Sequence, residues 1–182
     1  MYEHLEPLTK KLLSLKIEKP PPWELQTVIS VDGLCSVGFD RDTENLLILS
    51  HSGRGVVNCS TGEKTARDYE DYYENKYLEA EGIGCLKGKL IKMAGLLGGG
   101  LPISTEDGWC LESMTINFPE EMILLVEPGS DLYGMTCNRP DNFTKIEQQA
   151  NIRAYGFSYT GQSFIVATSS DVSIYNRSNK LS

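Results

Sequence analysis

The chain has 182 residues and a formal net charge of −8 at pH 7, with 40% hydrophobic and 23% charged residues. This length and composition are typical of a globular protein with a substantial core, and they exclude a disordered chain. An acidic surface repels phosphate groups, so we expect neither nucleic acid nor an anionic membrane as a partner. A basic protein partner is compatible with this charge.

The N-terminal residues contain no uninterrupted apolar stretch followed by a small-residue cleavage site, so no secretory signal is predicted. No run reaches the about 20 apolar residues that span a bilayer. An odd number of cysteines without a C-x-x-C pair argues against a metal site or a disulfide framework and favours reduced thiols in a cytoplasmic protein. These cysteines are Cys35, Cys59, Cys85, Cys110 and Cys137.

The chain begins with a predicted amphipathic helix. Leucines recur at spacings of three and four, which places them on one face, and three prolines at positions 20–22 end the helix. We therefore divide the chain into an N-terminal helix with a proline linker, residues 1–22, and a single β-rich domain, residues 23–182. The stripe either packs on the protein's own core or is offered to a partner or a second copy. It consists of Leu5, Leu8, Leu12 and Leu15.

Residues 23–67 change to short apolar runs that alternate with polar residues. The runs are LQTVISV, CSVGF, NLLILS, GVVNC and EKTAR, and turn sequences rich in Gly, Asp, Ser and Thr separate them. This pattern predicts an antiparallel meander. Three later segments, KGKLIKMAG, GWCLESMTINF and EEMILLV, are predicted to form further strands.

Two parts of the chain share one plan. SVGFDRDTENLLILSHSGRGVVNCSTGEK and AYGFSYTGQSFIVATSSDVSIYNRSNK align with Gly38 opposite Gly156 and Phe39 opposite Phe157, an offset of 118 residues. The apolar runs LLILS and FIVAT, residues 46–50 and 164–168, keep the same offset. We interpret this correspondence as an internal repeat, with strand, Gly-containing turn and strand in the same order.

The repeated plan resembles the blade of a WD-repeat or related β-propeller, over residues 34–67 and 152–180. The resemblance implies a strand layout and names no activity. The chain lacks the Trp-Asp and Gly-His dipeptides of WD repeats, and at about 40 residues per blade it holds four blades at most. We therefore expect a mainly β fold with antiparallel, propeller-blade-like repeats, either as a small or incomplete propeller-like assembly or as a sandwich or barrel.

Residues 68–80, DYEDYYENKYLEA, predict a short acidic helix rich in tyrosine, with Asp68 as the N-cap and Gly82 as the stop. Three tyrosines lie four residues apart on one face. They either lie on the sheet with their hydroxyls in water or form a protein-binding surface whose acidic neighbours select a basic partner. The candidate partner-binding residues are Tyr69, Glu70, Asp71, Tyr72, Tyr73, Glu74 and Tyr77.

A glycine-rich loop, KMAGLLGGGLPISTEDGW at residues 92–109, is the second distinctive segment. Glycines let a backbone approach another group closely. The loop matches neither the P-loop nor the G-x-G-x-x-G pattern, so it is a structural loop, a partner contact or a small-molecule pocket. The candidate ligand residues are Gly98, Gly99, Gly100, Asp107 and Trp109.

The sequence offers little for catalysis. It has two histidines, of which only His51 lies in the predicted β-rich domain, and no G-x-S-x-G elbow marks a nucleophile. We predict no catalytic residue, no cofactor and no metal ligand.

The function expected from these features is that of a small, acidic, non-catalytic protein-binding module, of the kind that acts as an immunity protein or antitoxin against a basic partner. One alternative is a small-molecule binder or enzyme with its pocket at residues 95–109. Another is a structural subunit that associates with itself through the leucine stripe.

Overall fold

The computed structural model describes residues 6–134 and 138–177. Leu5, Cys137 and residues 178–180 of the predicted repeat lie outside the described residues. The elements are α1 Glu6–Ser14, β1 Trp23–Ser30, β2 Leu34–Phe39, β3 Asn45–Ser50, β4 Gly53–Asn58, β5 Glu63–Arg67, β6 Glu79–Glu81, β7 Leu90–Lys92, β8 Ala94–Gly95, β9 Cys110–Met114, β10 Glu121–Val126, β11 Phe143–Gln149, β12 Ala154–Phe157, β13 Ser163–Ala167 and β14 Asp171–Arg177.

The strands form four antiparallel sheets within the described ranges. Sheet I has the order β5-β4-β3-β2-β8, sheet II β1-β14-β13-β12, sheet III β11-β10-β9 and sheet IV β6-β7. The predicted mainly β, antiparallel class is therefore confirmed. No closed barrel or propeller is present in the described part of the chain.

Sheets I and II share one strand register. The backbone N–H of Asp40 donates to the carbonyl of Asn45 at 2.9 Å, and 118 residues later Ser158 donates to Ser163 at 2.8 Å. The strand pairs follow the same offset throughout the first hairpin of each sheet. They are Ser36–Leu49, Val37–Ile48, Gly38–Leu47 and Phe39–Leu46 in sheet I, and Ala154–Ala167, Tyr155–Val166, Gly156–Ile165 and Phe157–Phe164 in sheet II.

The fourth strand of these two sheets comes from different parts of the chain. In sheet I, β5 follows β4 directly, whereas in sheet II the corresponding position is filled by β1 from the beginning of the chain. Both strands have one unpaired residue at equivalent places, Thr65 in β5 and Gln26 in β1. The predicted meander over residues 23–67 therefore begins at β2, because β1 pairs with β14 instead of with β2.

The central strands are buried on both faces, which explains their continuous apolar runs. In β3, Leu46 and Ile48 pack into a core shared with sheet II, whereas Leu47 and Leu49 pack into a core shared with sheet IV. Strands β10 and β13 alternate in the same way. Successive side chains of a strand point to opposite faces, so one strand serves two cores.

The described residues form successive layers: sheet IV, sheet I, sheet II, sheet III and helix α1, with an apolar core between each pair of neighbours. Leu8 and Leu12 of α1 are buried against Leu124, Val126 and Phe143 of sheet III. Burial of one leucine contributes about 1.5–3 kcal/mol. The predicted N-terminal helix is confirmed, and Leu8, Leu12 and the partly buried Leu15 pack on the protein's own core. No described helix is long and apolar enough to cross a membrane.

The predicted helix at residues 68–80 is wrong. Residues 68–78 are extended or in turns, and strand β6 begins at Glu79. Asp68 does not cap a helix, because its carboxylate accepts hydrogen bonds from the backbone N–H of Arg54 at 3.1 Å and from Arg54 Nε at 2.9 Å. Tyrosine is a weak helix former, so this ion pair with a distant strand outweighs the local preference.

Candidate functional site

Arg54 of β4 fixes the beginning of residues 68–78, which we call the tyrosine segment. The Arg54 Nη2 lies 2.7 Å from Asp68 Oδ2, and the Arg54 guanidinium lies 4.2 Å from the centroid of the Tyr72 ring. Burial alone would raise the pKa of Asp68, but the hydrogen bonds and charge of Arg54 hold that pKa below its usual value. Asp68 is therefore ionised at neutral pH and remains bound to this nearly buried arginine.

The other end of the tyrosine segment is fixed by backbone hydrogen bonds. The Tyr72 hydroxyl accepts from the backbone N–H of Glu81 at 2.9 Å. Asn75 Oδ1 accepts from two backbone N–H groups, at 2.8 and 3.2 Å. The carbonyl of Leu78 accepts from the backbone N–H of Met93 at 2.8 Å. The segment thus lacks helical structure but is held at both ends.

Three tyrosines of this fixed segment point into solvent. Tyr69, Tyr73 and Tyr77 are 81%, 74% and 63% exposed. Glu70 and Asp71 between them are exposed as well. The alternative in which these tyrosines lie on the sheet is therefore wrong for all three, because most of each side chain is exposed to solvent.

Two of the candidate partner-binding residues serve the fold instead. Tyr72 is half-buried under Arg54, as described above. Glu74 is half-buried, and its Oε2 accepts a hydrogen bond of 3.4 Å from the hydroxyl of Ser36 in β2. A free surface on this segment therefore consists of the other five candidates.

An exposed apolar turn lies beside the tyrosine segment. Residues 95–98, which we call the leucine turn, are closed by reciprocal backbone hydrogen bonds between Gly95 and Gly98, at 2.9 and 3.0 Å. Leu96 and Leu97 at its tip are more than half exposed. A Cβ on Gly98 would lie 3.9 Å from Leu78 Cδ1, so the turn adjoins the tyrosine segment. The leucine turn therefore lies next to the C-terminal end of the tyrosine segment at Leu78.

The structure separates the candidate ligand residues of the glycine-rich loop. Trp109 is buried in the core between sheets II and III, with its ring centroid 5.9 Å from that of Trp23. Asp107 lies on the surface and accepts a 2.8 Å hydrogen bond from Arg177 Nη2. The Arg177 hydrogen bond lowers the pKa of Asp107 to about 2. Gly98, Asp107 and Trp109 therefore lie outside the cleft that Gly99 and Gly100 line.

That cleft, which we call the central cleft, lies where three sheets meet. Ala94 of sheet I, Tyr155 of sheet II and Glu121 of sheet III all contribute to it. Its volume is about 270 Å³. The remaining lining residues are Gly99, Gly100, Leu101, Ile103, Ile152, Arg153 and Ala154.

The polar side chains of the central cleft are Glu121, Arg153 and Tyr155, none of which the sequence singles out. Only the pairing of distant strands brings them to the glycines, so no local motif could have marked them. Burial and the charge of Glu121 raise the pKa of Tyr155, which keeps its hydroxyl protonated. The cleft thus has one cation, one carboxylate and one hydroxyl.

The described ranges contain one histidine and four cysteines. His51 lies exposed in the turn between β3 and β4. Burial raises the pKa of the Cys35, Cys59 and Cys110 thiols, which keeps them protonated and weakly nucleophilic. Residues 6–134 and 138–177 contain no group of three side chains arranged to hold a metal ion.

Comparison with known proteins assigns no family to the chain. No protein-family profile matches it, and no curated protein matches it. What the protein binds must be inferred from the chemistry of its own surface.

Proposed function

We propose that the protein is a non-catalytic binding module that holds a basic protein partner on the tyrosine segment and the leucine turn. The observation that carries this proposal is the exposure of Tyr69, Tyr73 and Tyr77 on a segment anchored at both ends. Tyrosine is enriched among the residues that dominate binding energy at interfaces, because its ring is apolar and its hydroxyl remains hydrogen-bonded.

The anchoring supports tight binding. A segment that is already ordered loses little conformational freedom when a partner binds, so more of the contact energy appears as affinity. The hydrogen bonds of Asn75 and the ion pair of Arg54 with Asp68 supply this order before any partner arrives.

The charge selects the partner. Glu70 and Asp71 are exposed between the tyrosines, and the whole chain carries a net charge of −8. Such a surface attracts a basic protein and accelerates its association, with a strong dependence on salt. We place the protein among immunity-type or antitoxin-type inhibitors, whose acidic groups can occupy a basic site meant for nucleic acid.

We also propose that sheets I and II are propeller-blade-like units. Support comes from the register that both sheets keep at the 118-residue offset and from β1, which completes sheet II as β5 completes sheet I. In this interpretation the four sheets form an open, propeller-like series, and the two lateral edges β8 and β12 face the central cleft.

Self-association through the leucine stripe, the second alternative, is weakened because two of the four leucines are buried within the protein. Leu8 and Leu12 are buried against sheet III, so they are not available to a second copy. The small-molecule alternative keeps a physical basis in the central cleft, although not at Asp107 or Trp109.

Affinity capture tests the proposed function. Tagged wild-type protein and the double variant Tyr73→Ala/Tyr77→Ala are incubated with lysate of the native host at low and moderate salt. We expect the wild-type protein to retain one stoichiometric, basic partner, less of it at moderate salt, and the double variant to retain little. Each residue of an interface hot spot contributes about 2 kcal/mol or more, so the purified partner should bind the double variant at least about 100-fold more weakly.

The control is Tyr159→Ala, a 41% exposed tyrosine outside this surface whose ring lies 5.4 Å from the Arg41 guanidinium. It should capture the partner like the wild-type protein. Equal capture by the double variant would remove the tyrosine segment from the interface, and capture of no protein by the folded wild type would contradict the proposal itself.

A further inference from the structure

Arg153 is the one partly buried arginine of the described chain whose side chain has no hydrogen-bond or ion-pair partner. Its Nε is buried without an acceptor. Arg54 and Arg177, which are also largely buried, each bind an aspartate. An unpaired buried N–H costs about 1–3 kcal/mol, so a protein that retains one usually supplies the acceptor from elsewhere.

Two glycines line the same cleft without a backbone hydrogen-bond acceptor for their amides in the described chain. The amides of Gly99 and Gly100 donate to no other group among the described residues, and both glycines line the central cleft beside Arg153. Gly99 has a φ of +85°, and a Cβ there would lie 2.1 Å from the carbonyl oxygen of Met93, so only glycine fits. A guanidinium with neighbouring free amides is a receptor for an oxyanion, since both bind carboxylate oxygens well.

The volume of the central cleft and the charges that line it restrict the class of ligand. At about 270 Å³ the cleft is smaller than the roughly 300–1,000 Å³ of sites for drug-sized molecules. Arg153 is its single cation, and the Glu121 carboxylate lies in the same lining. A multiply charged anion would be repelled by Glu121, whereas a single carboxylate is matched by Arg153. Glu121 and the Tyr155 hydroxyl can in turn accept hydrogen bonds from a donor on the ligand.

We propose that the central cleft binds a small monocarboxylate that also carries a hydrogen-bond donor, such as an α-hydroxy or α-amino acid. Its carboxylate binds Arg153 and the amides of Gly99 and Gly100, and its hydroxyl or amino group binds Glu121 or Tyr155. This site is distinct from the tyrosine segment, so it does not depend on the proposed protein partner.

An NMR titration of the ¹⁵N-labelled full chain tests this site. Sodium lactate and alanine are the probes, with acetate and inorganic phosphate for comparison at constant ionic strength. At about 10 mM probe, a site with a Kd of about 1 mM is about nine-tenths occupied. We expect saturable shifts of the Gly99 and Gly100 amides and of the Arg153 Nε–H with lactate or alanine, and weaker binding of acetate and phosphate.

Two variants assign the binding to Arg153. Arg153→Gln should weaken lactate or alanine binding at least tenfold, and Arg153→Lys should weaken it less, because lysine keeps the charge but not the planar fork. Arg41→Gln, outside the cleft, is the control and should bind like the wild type. The proposal is overturned if neither probe gives saturable shifts in the wild-type protein, if Arg153→Gln binds as well as wild type, or if phosphate binds more tightly than both probes. The wild-type titration is decisive even where a variant does not fold.

Discussion

Replacement of Arg54 by methionine tests whether this residue organises the tyrosine segment. Methionine keeps much of the aliphatic packing but removes the 2.7 and 2.9 Å contacts with Asp68 and the 3.2 Å hydrogen bond to the carbonyl of Glu81. Loss of one partner from a buried ion pair costs about 3–5 kcal/mol. The side chain of Asp68 is 24% exposed, and water can solvate part of its charge. We therefore expect the lower end of that range, about 3 kcal/mol.

Urea denaturation measures this change as a lower midpoint with an unchanged slope. Hydrogen exchange should show a second effect, the loss of protection in the tyrosine segment, because its anchor is gone. Arg67→Met is the matched control. Arg67 is an exposed arginine next to Tyr69 that donates to the carbonyl of Ser52 at 2.8 Å, and its replacement should cost less than about 1 kcal/mol. A similar loss in both variants, or unchanged exchange in the segment of Arg54→Met, would refute this role of Arg54.

Three further predictions concern stability. Asp107→Asn should destabilise the protein at pH 7 and lose this effect as the pH falls towards about 2. The pKa of Asp107 is lower in the folded state than in the unfolded state. The ionised carboxylate therefore stabilises the fold above the unfolded-state pKa, and this contribution is lost as the pH falls through the folded-state pKa. Without screening, lowering the pKa of Asp107 from 3.8 to about 2 would correspond to about 2.4 kcal/mol of folding stability. Asp107 is 53% exposed, so solvent screening reduces the expected loss of stability to about 1 kcal/mol. Urea denaturation from pH 7 to 2 measures this loss. An equal loss at every pH would contradict the role of the Asp107 charge. Leu12→Ala should cost about 2–3 kcal/mol in the same assay, because this leucine is buried under α1 but the outer layer can partly relax; a cost below about 1 kcal/mol would show that the helix contributes little. Gly99→Ala should lower stability by about 2 kcal/mol or more, because a Cβ there would lie 2.1 Å from the carbonyl oxygen of Met93. Gly100→Ala should change stability by less than about 0.5 kcal/mol, because no atom lies within 4 Å of a Cβ there. Similar shifts of the melting temperature in the two variants would refute the close approach at Gly99.

The strands could be predicted because their pattern is local. Alternating apolar residues and turn sequences located β2 to β5, and the shared offset from Phe39 to Phe157 anticipated the common register of sheets I and II. The neighbour of β1 in its sheet could not be predicted from such local patterns. Its pattern predicts a strand but contains nothing that distinguishes β2 from β14 as the neighbour.

The candidate site was predicted in part, for a related reason. The spacing of Tyr69, Tyr73 and Tyr77 fits a helix, but the conformation is decided by Asp68 and its distant partner Arg54. Composition nevertheless singled out Tyr69, Tyr73 and Tyr77, which the structure places in solvent. The cleft residue Arg153 carries no local signal at all, because its position beside the glycines depends on how three sheets meet.

The pairing of β1 with β14 has a consequence for synthesis of the chain. Trp23 is paired with Arg177, so β1 acquires its neighbour only after residue 177 has left the ribosome. Until then sheet II has an open edge and Trp23 lacks the aromatic rings of Phe157 and Phe164 that surround it. Pairing between strands so far apart in the chain slows folding, and the exposed edge of sheet II is prone to aggregation until β1 occupies it.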